Sequence, residues 1–457
     1  MNLWKEIKRR MFLHPQQTIS DGNNTITYSE MVNRVEKNSD EIKGFKCCGI
    51  MCESELNCAI TVLSCLVAGV TALPLSFRYG INHCDRIIKK ISPDAIVTDE
   101  EGTLSVKKVF NSKYNEPSKH PFLIMCTSGT TGDPKGVMLS EKNIKTNYHD
   151  IIRYFKISDK DSILISRPLY HCAVLTGEFL VALYCGAKIV FCSKSFNPLL
   201  LYSTINKKKI TVFCGTPTLM QILARIIGTK ETSLRTIGIS GESMSEREAN
   251  LIFETFTNAK IYYFYGLTEA SPRISYLPPY LFHIYPECVG KPLKSVKIKI
   301  VNKNNKKVQK GEQGLLYVKG GNVMIGYYND PNLTKKTLNI GWLCTGDIAV
   351  REDNNLLKII GRRDDMIIKA GMNIYPTEIE KSLKADKRVR EIVAYGYKDE
   401  NGTVKIGIRL SGDFACENEV MSLCEELLPH YELPSEIIIQ AELPRNGSGK
   451  VIRGRMD

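Results

Sequence analysis

The feature that most limits the fold is an alternation of short apolar runs with segments of helical period. Residues 95–98, 122–126, 188–192 and 211–214 are apolar runs of strand length, with helix-period stretches between them. Such runs, bounded by turn formers, read as buried strands. Strands alternating with helices build α/β layers around a mainly parallel sheet. Residues 29–42 read as an amphipathic helix entered from the strand-like Thr25-Ile26-Thr27. The longest apolar stretch, residues 58–75, is interrupted by Thr61, Ser64, Gly69 and Thr71 and broken at Pro74. A membrane span needs about 20 predominantly apolar residues, so a buried helix followed by a strand is expected there.

The pattern changes twice toward the C-terminus. Residues 296–318 read as short alternating strands with Gly-containing turns, which suggests a small β-rich subdomain. A boundary candidate falls at Gly361-Arg362-Arg363-Asp364-Asp365, after a strand pair turned around Asp353-Asn354-Asn355. Beyond it, residues 376–383 and 417–428 read as helices, and residues 390–397, 404–410 and 436–440 as strands. The chain has 457 residues, more than one hydrophobic core organises. The expected fold class is therefore α/β. A large N-terminal domain, residues 1–361, holds layered α/β subdomains plus the β-rich subdomain. A small mobile α+β C-terminal domain spans residues 364–457.

Charge and cysteine usage remove several function classes. The formal net charge is +13, but the basic residues are dispersed. The densest run, Lys207-Lys208-Lys209, is too short for a nucleic-acid-binding tail. A Lys-rich solvated surface is expected, and it would also attract acidic ligands. The 15 cysteines show neither a zinc spacing nor a disulfide framework. Free thiols in a reducing cytoplasm are expected. Residues 1–10 lack a signal-peptide apolar stretch.

The chemistry concentrates in short motifs. Thr127-Ser128-Gly129-Thr130-Thr131-Gly132-Asp133-Pro134-Lys135-Gly136 follows an expected strand. Its glycines allow sharp turns, and its amides and hydroxyls suit phosphate oxygens. It is not a Walker A loop, because only two residues separate Gly129 from Gly132. Further on come Tyr265-Gly266-Leu267-Thr268-Glu269 and Gly341-Trp342-Leu343-Cys344-Thr345-Gly346-Asp347. The boundary segment follows, then Gly371-Met372-Asn373-Ile374-Tyr375-Pro376 and Pro444-Arg445-Asn446-Gly447-Ser448-Gly449-Lys450.

In this order the motifs resemble those of the adenylate-forming superfamily: acyl-CoA synthetases, peptide-synthetase adenylation domains and luciferases. The resemblance covers nearly the whole chain. It implies an AMP-forming acid–thiol ligase that uses ATP and Mg²⁺ to convert a small carboxylic acid to an acyl-adenylate. The acyl group then passes to coenzyme A. The phosphopantetheine of an acyl or peptidyl carrier protein is the alternative acceptor. A nucleotide-binding homologue without acyl transfer is the rival of another class.

The residue roles follow from the same resemblance. Thr127, Ser128, Gly129, Thr130, Thr131, Gly132 and Lys135 form the phosphate loop. Tyr265 offers a ring on which adenine stacks, beside Gly266. Thr268 reaches the α-phosphate, and Glu269 is the Mg²⁺ ligand. Asp347 accepts the ribose hydroxyls, and Arg362 contacts the nucleotide. Asp364 is the hinge, with Asp365 as the neighbouring alternative. Lys450 stabilises the charge formed during adenylation. Gly371 lets a pantetheine arm pass close to the backbone. His171 is a gate or wall of the acyl pocket, ahead of a general-base role.

Some positions depart from the superfamily's pattern. No carboxylate follows His171 until Glu178, which disfavours a free α-amino acid as substrate. Glu242 stands in place of a small residue; it recognises a polar substrate or points into solvent. Arg273 pairs with a substrate anion or serves structure. A compact large domain suggests a small acyl substrate.

Overall fold

The structure is a computed structural model. It describes all residues except 1, 101–102, 129–133, 193–196, 353, 370–371, 401, 446–450 and 455–457. Lys450, Gly371 and residues 129–133 of the expected phosphate loop, including Gly129, Thr130, Thr131 and Gly132, lie outside the described residues.

The expected strands and helices form where the apolar runs lie. Among the described residues a 14-stranded sheet carries the main architecture. Its parallel part contains Thr18–Ser20, Lys188–Phe191, Ser162–Ile165, Val212–Gly215, Thr236–Ser240 and Lys260–Gly266, in that spatial order. A second, seven-stranded sheet includes Cys47–Met51, Thr71–Pro74, Ala95–Glu100, Leu123–Ser128 and Pro134–Leu139. Helix Glu55–Ala68 is buried along most of its length and leads into Thr71–Pro74. This matches the expectation of a buried helix followed by a strand. Helix Tyr28–Ile42 starts at Thr27, whose hydroxyl accepts from the Glu30 amide while Glu30 accepts from the Thr27 amide. That reciprocal cap satisfies two amides the helix cannot.

The β-rich stretch is not a detached sheet. Val296–Val301 and Gly314–Gly320 continue the long sheet through Trp342–Arg351, Leu357–Arg362, Cys288–Pro292 and Arg273–Leu277. The antiparallel wing attaches where Arg273–Leu277 pairs with the last parallel strand, Lys260–Gly266.

Two large hydrophobic clusters divide at the 360s. One runs from Leu3 to Leu357. The other gathers residues from Ile367 to Ile437. Its elements are helix Pro376–Leu383, strands Val389–Lys398, Val404–Gly412 and Glu436–Ile439, and helix Glu417–Leu427. Pro376 opens its helix at a position where an amide would lack an intrahelical partner. Contacts across the division are largely polar. The Thr377 hydroxyl donates to the Ile360 carbonyl. Lys384 pairs with Glu248 at 2.9 Å. Glu287 lies between Lys358 (2.5 Å) and Lys381 (3.4 Å). Among the described residues no helix is long and apolar enough to cross a membrane. All 15 cysteines are free thiols, most of them buried.

Candidate active site

The candidate residues gather at the carboxyl end of Lys260–Gly266, where parallel pairing gives way to antiparallel. Carboxyl ends of strands are where open α/β sheets bind ligands. The strand ends in Tyr265 and Gly266, and the chain turns through Thr268–Ala270. Gly266 is required by close approach: a Cβ there would lie 2.0 Å from the Pro272 carbonyl oxygen. That proximity lets the Leu267 amide donate to the same oxygen at 2.9 Å, which folds Thr268 and Glu269 back over the strand end.

Tyr265, Asp347 and Arg362 form one network. Asp347 sits opposite Arg362 in the ladder between Trp342–Arg351 and Leu357–Arg362. Arg362 Nη1 donates to Asp347 Oδ1 at 3.1 Å and to the Thr345 carbonyl at 3.3 Å. The Tyr265 hydroxyl donates to Asp347 Oδ2. Asp347 is only 5% exposed. Burial pushes its carboxyl above the usual range, against the pull of Arg362 and Tyr265. Burial and the adjacent carboxylate likewise raise the Tyr265 phenol. For Arg362, burial opposes the charge, but Asp347, Tyr265 and Glu269 outweigh it and raise its pKa. Gly346, with φ of 78°, takes the left-handed conformation that brings Asp347 onto this face.

Glu269 is half-buried, and its Oε1 accepts from the Tyr327 hydroxyl at 2.8 Å. Strand Gly326–Tyr327 pairs with Pro134–Leu139, the strand that leaves the expected phosphate loop. Lys135 lies on that strand opposite Thr127. The turn Thr268–Ala270 packs on the same strand, and the Met324 amide donates to the Glu269 carbonyl at 2.9 Å. The two described ends of the phosphate loop and Glu269 are thus tied together through residues 324–327. Sequence reasoning missed Tyr327, because its contact spans 58 positions and no local pattern marks it.

His171 is half-buried and caps the short helix Cys172–Val174 through its carbonyl, which accepts from the Val174 and Leu175 amides. Its ring meets Tyr170 edge-on at 5.7 Å. In the same segment, the Thr176 hydroxyl donates to the Ser271 carbonyl at 3.1 Å. The His171 segment therefore lies against the Thr268–Glu269 turn. Asp364 is exposed in the turn after Leu357–Arg362, and its side chain accepts from Arg363 Nε at 3.1 Å.

Two open assignments resolve toward structure. Glu242 does not project freely into solvent. Its Oε2 accepts from the Thr218 amide (3.2 Å) and hydroxyl (2.7 Å), in the first turn of helix Pro217–Ile227. A carboxylate is favoured there by the helix dipole. Arg273 is buried, donates to the Tyr154 hydroxyl at 2.9 Å, and lies 3.8 Å from the Phe264 ring centroid. Asn147 clasps its backbone on both sides.

Fold and site together define a two-unit α/β protein with a polar cluster at a strand-end switch. Residues 7–328 match the family described as AMP-binding enzyme, and residues 378–450 match the AMP-binding enzyme C-terminal domain. The chain belongs to the AMP-binding enzyme family. It is 26% identical to a feruloyl-CoA synthase of Amycolatopsis sp, over 98% of this chain and 97% of that protein. It is 31% identical to a long-chain-fatty-acid–CoA ligase of Haemophilus influenzae, over 83% of this chain and 70% of that one. Among solved structures it resembles o-succinylbenzoate coenzyme A synthetase from Bacillus subtilis in complex with ATP and magnesium ion. That match has a TM-score of 0.85 at 24% identity and covers 99% and 98% of the two chains.

Proposed function

We propose that this protein is an AMP-forming acid–thiol ligase that makes an acyl-adenylate from a carboxylic acid and ATP, then an acyl-CoA. The observation that carries the reading is the convergence of Tyr265, Asp347, Arg362 and Glu269 from separate strands and turns onto one strand end. Asp347 accepts the ribose hydroxyls on lone pairs left by Tyr265 and Arg362. Tyr265, held by its hydroxyl, presents its ring to adenine. Thr127, Ser128 and Lys135 flank the phosphates, and Thr268 reaches the α-phosphate.

The residues fit a magnesium ion that arrives with ATP. Mg²⁺ is bound through one or two carboxylates plus substrate phosphates. Tyr327 occupies only one oxygen of Glu269. Among the described residues no group of three or more His, Cys, Asp or Glu is placed to hold a metal by itself. The ion's chemistry there is neutralisation of phosphate charge.

The acid's carboxylate attacks the α-phosphorus in line, and pyrophosphate leaves. Lys450 stabilises the charge gathering on the phosphate oxygens. His171 walls the acyl group. The unit that begins after Arg362 then turns about Asp364, and the Gly371 segment replaces Lys450 at the site. The thiol attacks the acyl carbonyl, and AMP departs. The large domain spans residues 1–361 and the small one residues 364–457, a division supported by the separate hydrophobic clusters on either side. Fifteen free thiols support a reducing, cytoplasmic setting.

The test is acid-dependent pyrophosphate release across a panel of aliphatic, aromatic and dicarboxylic acids. Thioester formation is then measured with coenzyme A and with a pantetheinylated carrier protein. Release with some acid, followed by thioester on free coenzyme A, is expected. No acid-dependent release across the panel would overturn the reading, and transfer to the carrier alone would move the acceptor to a protein.

A further inference from the structure

The contact between the two units contains a recess that the catalytic scheme does not use. It lies between helices Pro217–Ile227 and Glu246–Thr255 on one side and residues 384–390 on the other. Its empty volume is about 270 Å³ including the solvent-open mouth, and its enclosed part has room for about one or two waters. Four cations line it, Arg225, Arg247, Lys384 and Arg390, against a single carboxylate, Glu248.

That carboxylate is already committed. Its Oε1 accepts from Lys384 Nζ at 2.9 Å and Gln221 Nε2 at 2.6 Å, and its Oε2 accepts from the Ser245 amide at 2.7 Å. Arg247 spends Nη1 on the carbonyls of Lys384 (3.2 Å) and Asp386 (2.5 Å), which carry no formal charge. Among the described residues Arg390 reaches the Gly412 carbonyl at 3.4 Å and the outlying Asp413 at 3.9 Å. Arg225 has no hydrogen-bond or ion-pair partner among the described residues. Among the described residues Arg225 and Arg247 thus lack a matching carboxylate, and Arg390 keeps a long ion pair to Asp413.

We propose that this recess binds a phosphate group, and that the bound anion ties the two units together. Guanidinium forks match phosphate oxygens in pairs, and a concave patch of one sign concentrates the opposite ion. Arg225 and Arg247 come from one unit, Lys384 and Arg390 from the other. An anion that touches both sets binds only the arrangement that brings them together, and it stabilises that arrangement by its differential affinity. The anion is free pyrophosphate or phosphate, or the 3′-phosphate of coenzyme A. The site is independent of the catalytic roles above, and its occupancy is read without turnover.

The experiment titrates inorganic pyrophosphate calorimetrically into the full chain, with the nucleotide site saturated by a non-hydrolysable ATP analogue. Wild type, Arg225→Gln, Arg390→Gln and the double variant are compared, with thermal unfolding as the check on folding. Binding of one pyrophosphate to wild type is expected, weakened at least about fivefold in each single variant and further in the double. That is the low end for losing one charge-assisted contact at a part-exposed site. Competition by coenzyme A but not by 3′-dephospho-coenzyme A assigns the anion to the cofactor. No competition from either assigns it to the free ion. The proposal is overturned if wild type binds no pyrophosphate under these conditions, or if the folded double variant binds it as tightly as wild type.

Discussion

Replacing Asp347 with asparagine separates binding from stability at the centre of the site. The carboxylate is 5% exposed and holds both Arg362 and Tyr265. Removing its charge strands Arg362, but that side chain is 46% exposed and water replaces the partner. Burial already penalises the charged Asp347, so the substitution also relieves a cost. The two effects oppose, and we expect a stability change within about 1 kcal/mol. Binding has no such offset. An asparagine oxygen still takes one ribose hydroxyl, while the amide nitrogen cannot accept the other. Loss of one charge-assisted hydrogen bond, about 1.5–3 kcal/mol, should weaken AMP and ATP roughly ten- to hundredfold. Calorimetry with AMP and urea unfolding measure the two quantities on one sample. AMP affinity within about twofold of wild type would refute the ribose role. A loss above about 3 kcal/mol in stability would make Asp347 a structural residue. The pH dependence has a definite sign. The folded-state pKa of Asp347 is raised above 3.8, so the folded protein holds this proton more tightly than the unfolded chain. Its contribution to stability falls as pH rises from 3.8 through the raised value, and is constant above it. The asparagine variant should lack that slope.

Glu269→Gln should slow adenylation by about 10²-fold and blunt its Mg²⁺ dependence, with AMP affinity little changed; an equal fall in AMP affinity would remove the metal role. Asp364→Pro should leave pyrophosphate exchange within about tenfold while thioester formation falls far more, because proline fixes φ at the turning residue. Asp365→Pro is the control, and near-normal thioester synthesis by Asp364→Pro would exclude that hinge. Glu248→Gln should destabilise the chain by about 2–3 kcal/mol, since it leaves Lys384 without its carboxylate, and adding Lys384→Met should recover part of the loss in urea unfolding. Despite burial, Lys384 lowers the Glu248 pKa and Glu248 raises that of Lys384. The Glu248 contribution is present above 4.5 and lost as pH falls through its lowered value; that of Lys384 is present below 10.5 and lost as pH rises past its raised value.

The parts of the fold legible in the sequence are those set by local pattern. Helix Pro376–Leu383 and strand Val389–Lys398 lie within a residue or so of expectation because apolar period and Pro placement are local. The β-rich stretch was legible as strands but not as part of the long sheet. Its attachment depends on Cys288–Pro292 pairing with Leu357–Arg362, a choice made across roughly 70 residues. The site shows the same division. Motifs named Tyr265, Asp347, Glu269 and Arg362, yet the Tyr265–Asp347 bond spans 82 positions. Tyr327 carried no motif and was invisible. Glu242 was ambiguous because its partner, Thr218, lies 24 positions away on a helix end.

The contact between the two units was the least legible feature, and its chemistry bears on how the protein works. Lys384–Glu248, Lys381–Glu287 and Arg247 with two carbonyls are polar contacts, most of them long in sequence separation. The apolar cluster near the junction, Ile348, Val350, Ile360 and Tyr375, is small beside the two main cores. An apolar interface would cost free energy in proportion to the area exposed on separation. Ion pairs and carbonyl contacts at a partly hydrated seam exchange protein partners for water at a smaller net cost. Polar seams of this kind make relative motion the default between units of one chain. The turn at residues 363–365 connects them, with Asp364 exposed and its side chain accepting from its neighbour Arg363. A rotation there breaks contacts that water can replace, while the Tyr265–Asp347–Arg362 network stays on one side of the turn. Under the proposed two-step scheme, the site would therefore keep its geometry while the small unit exchanged one segment for another.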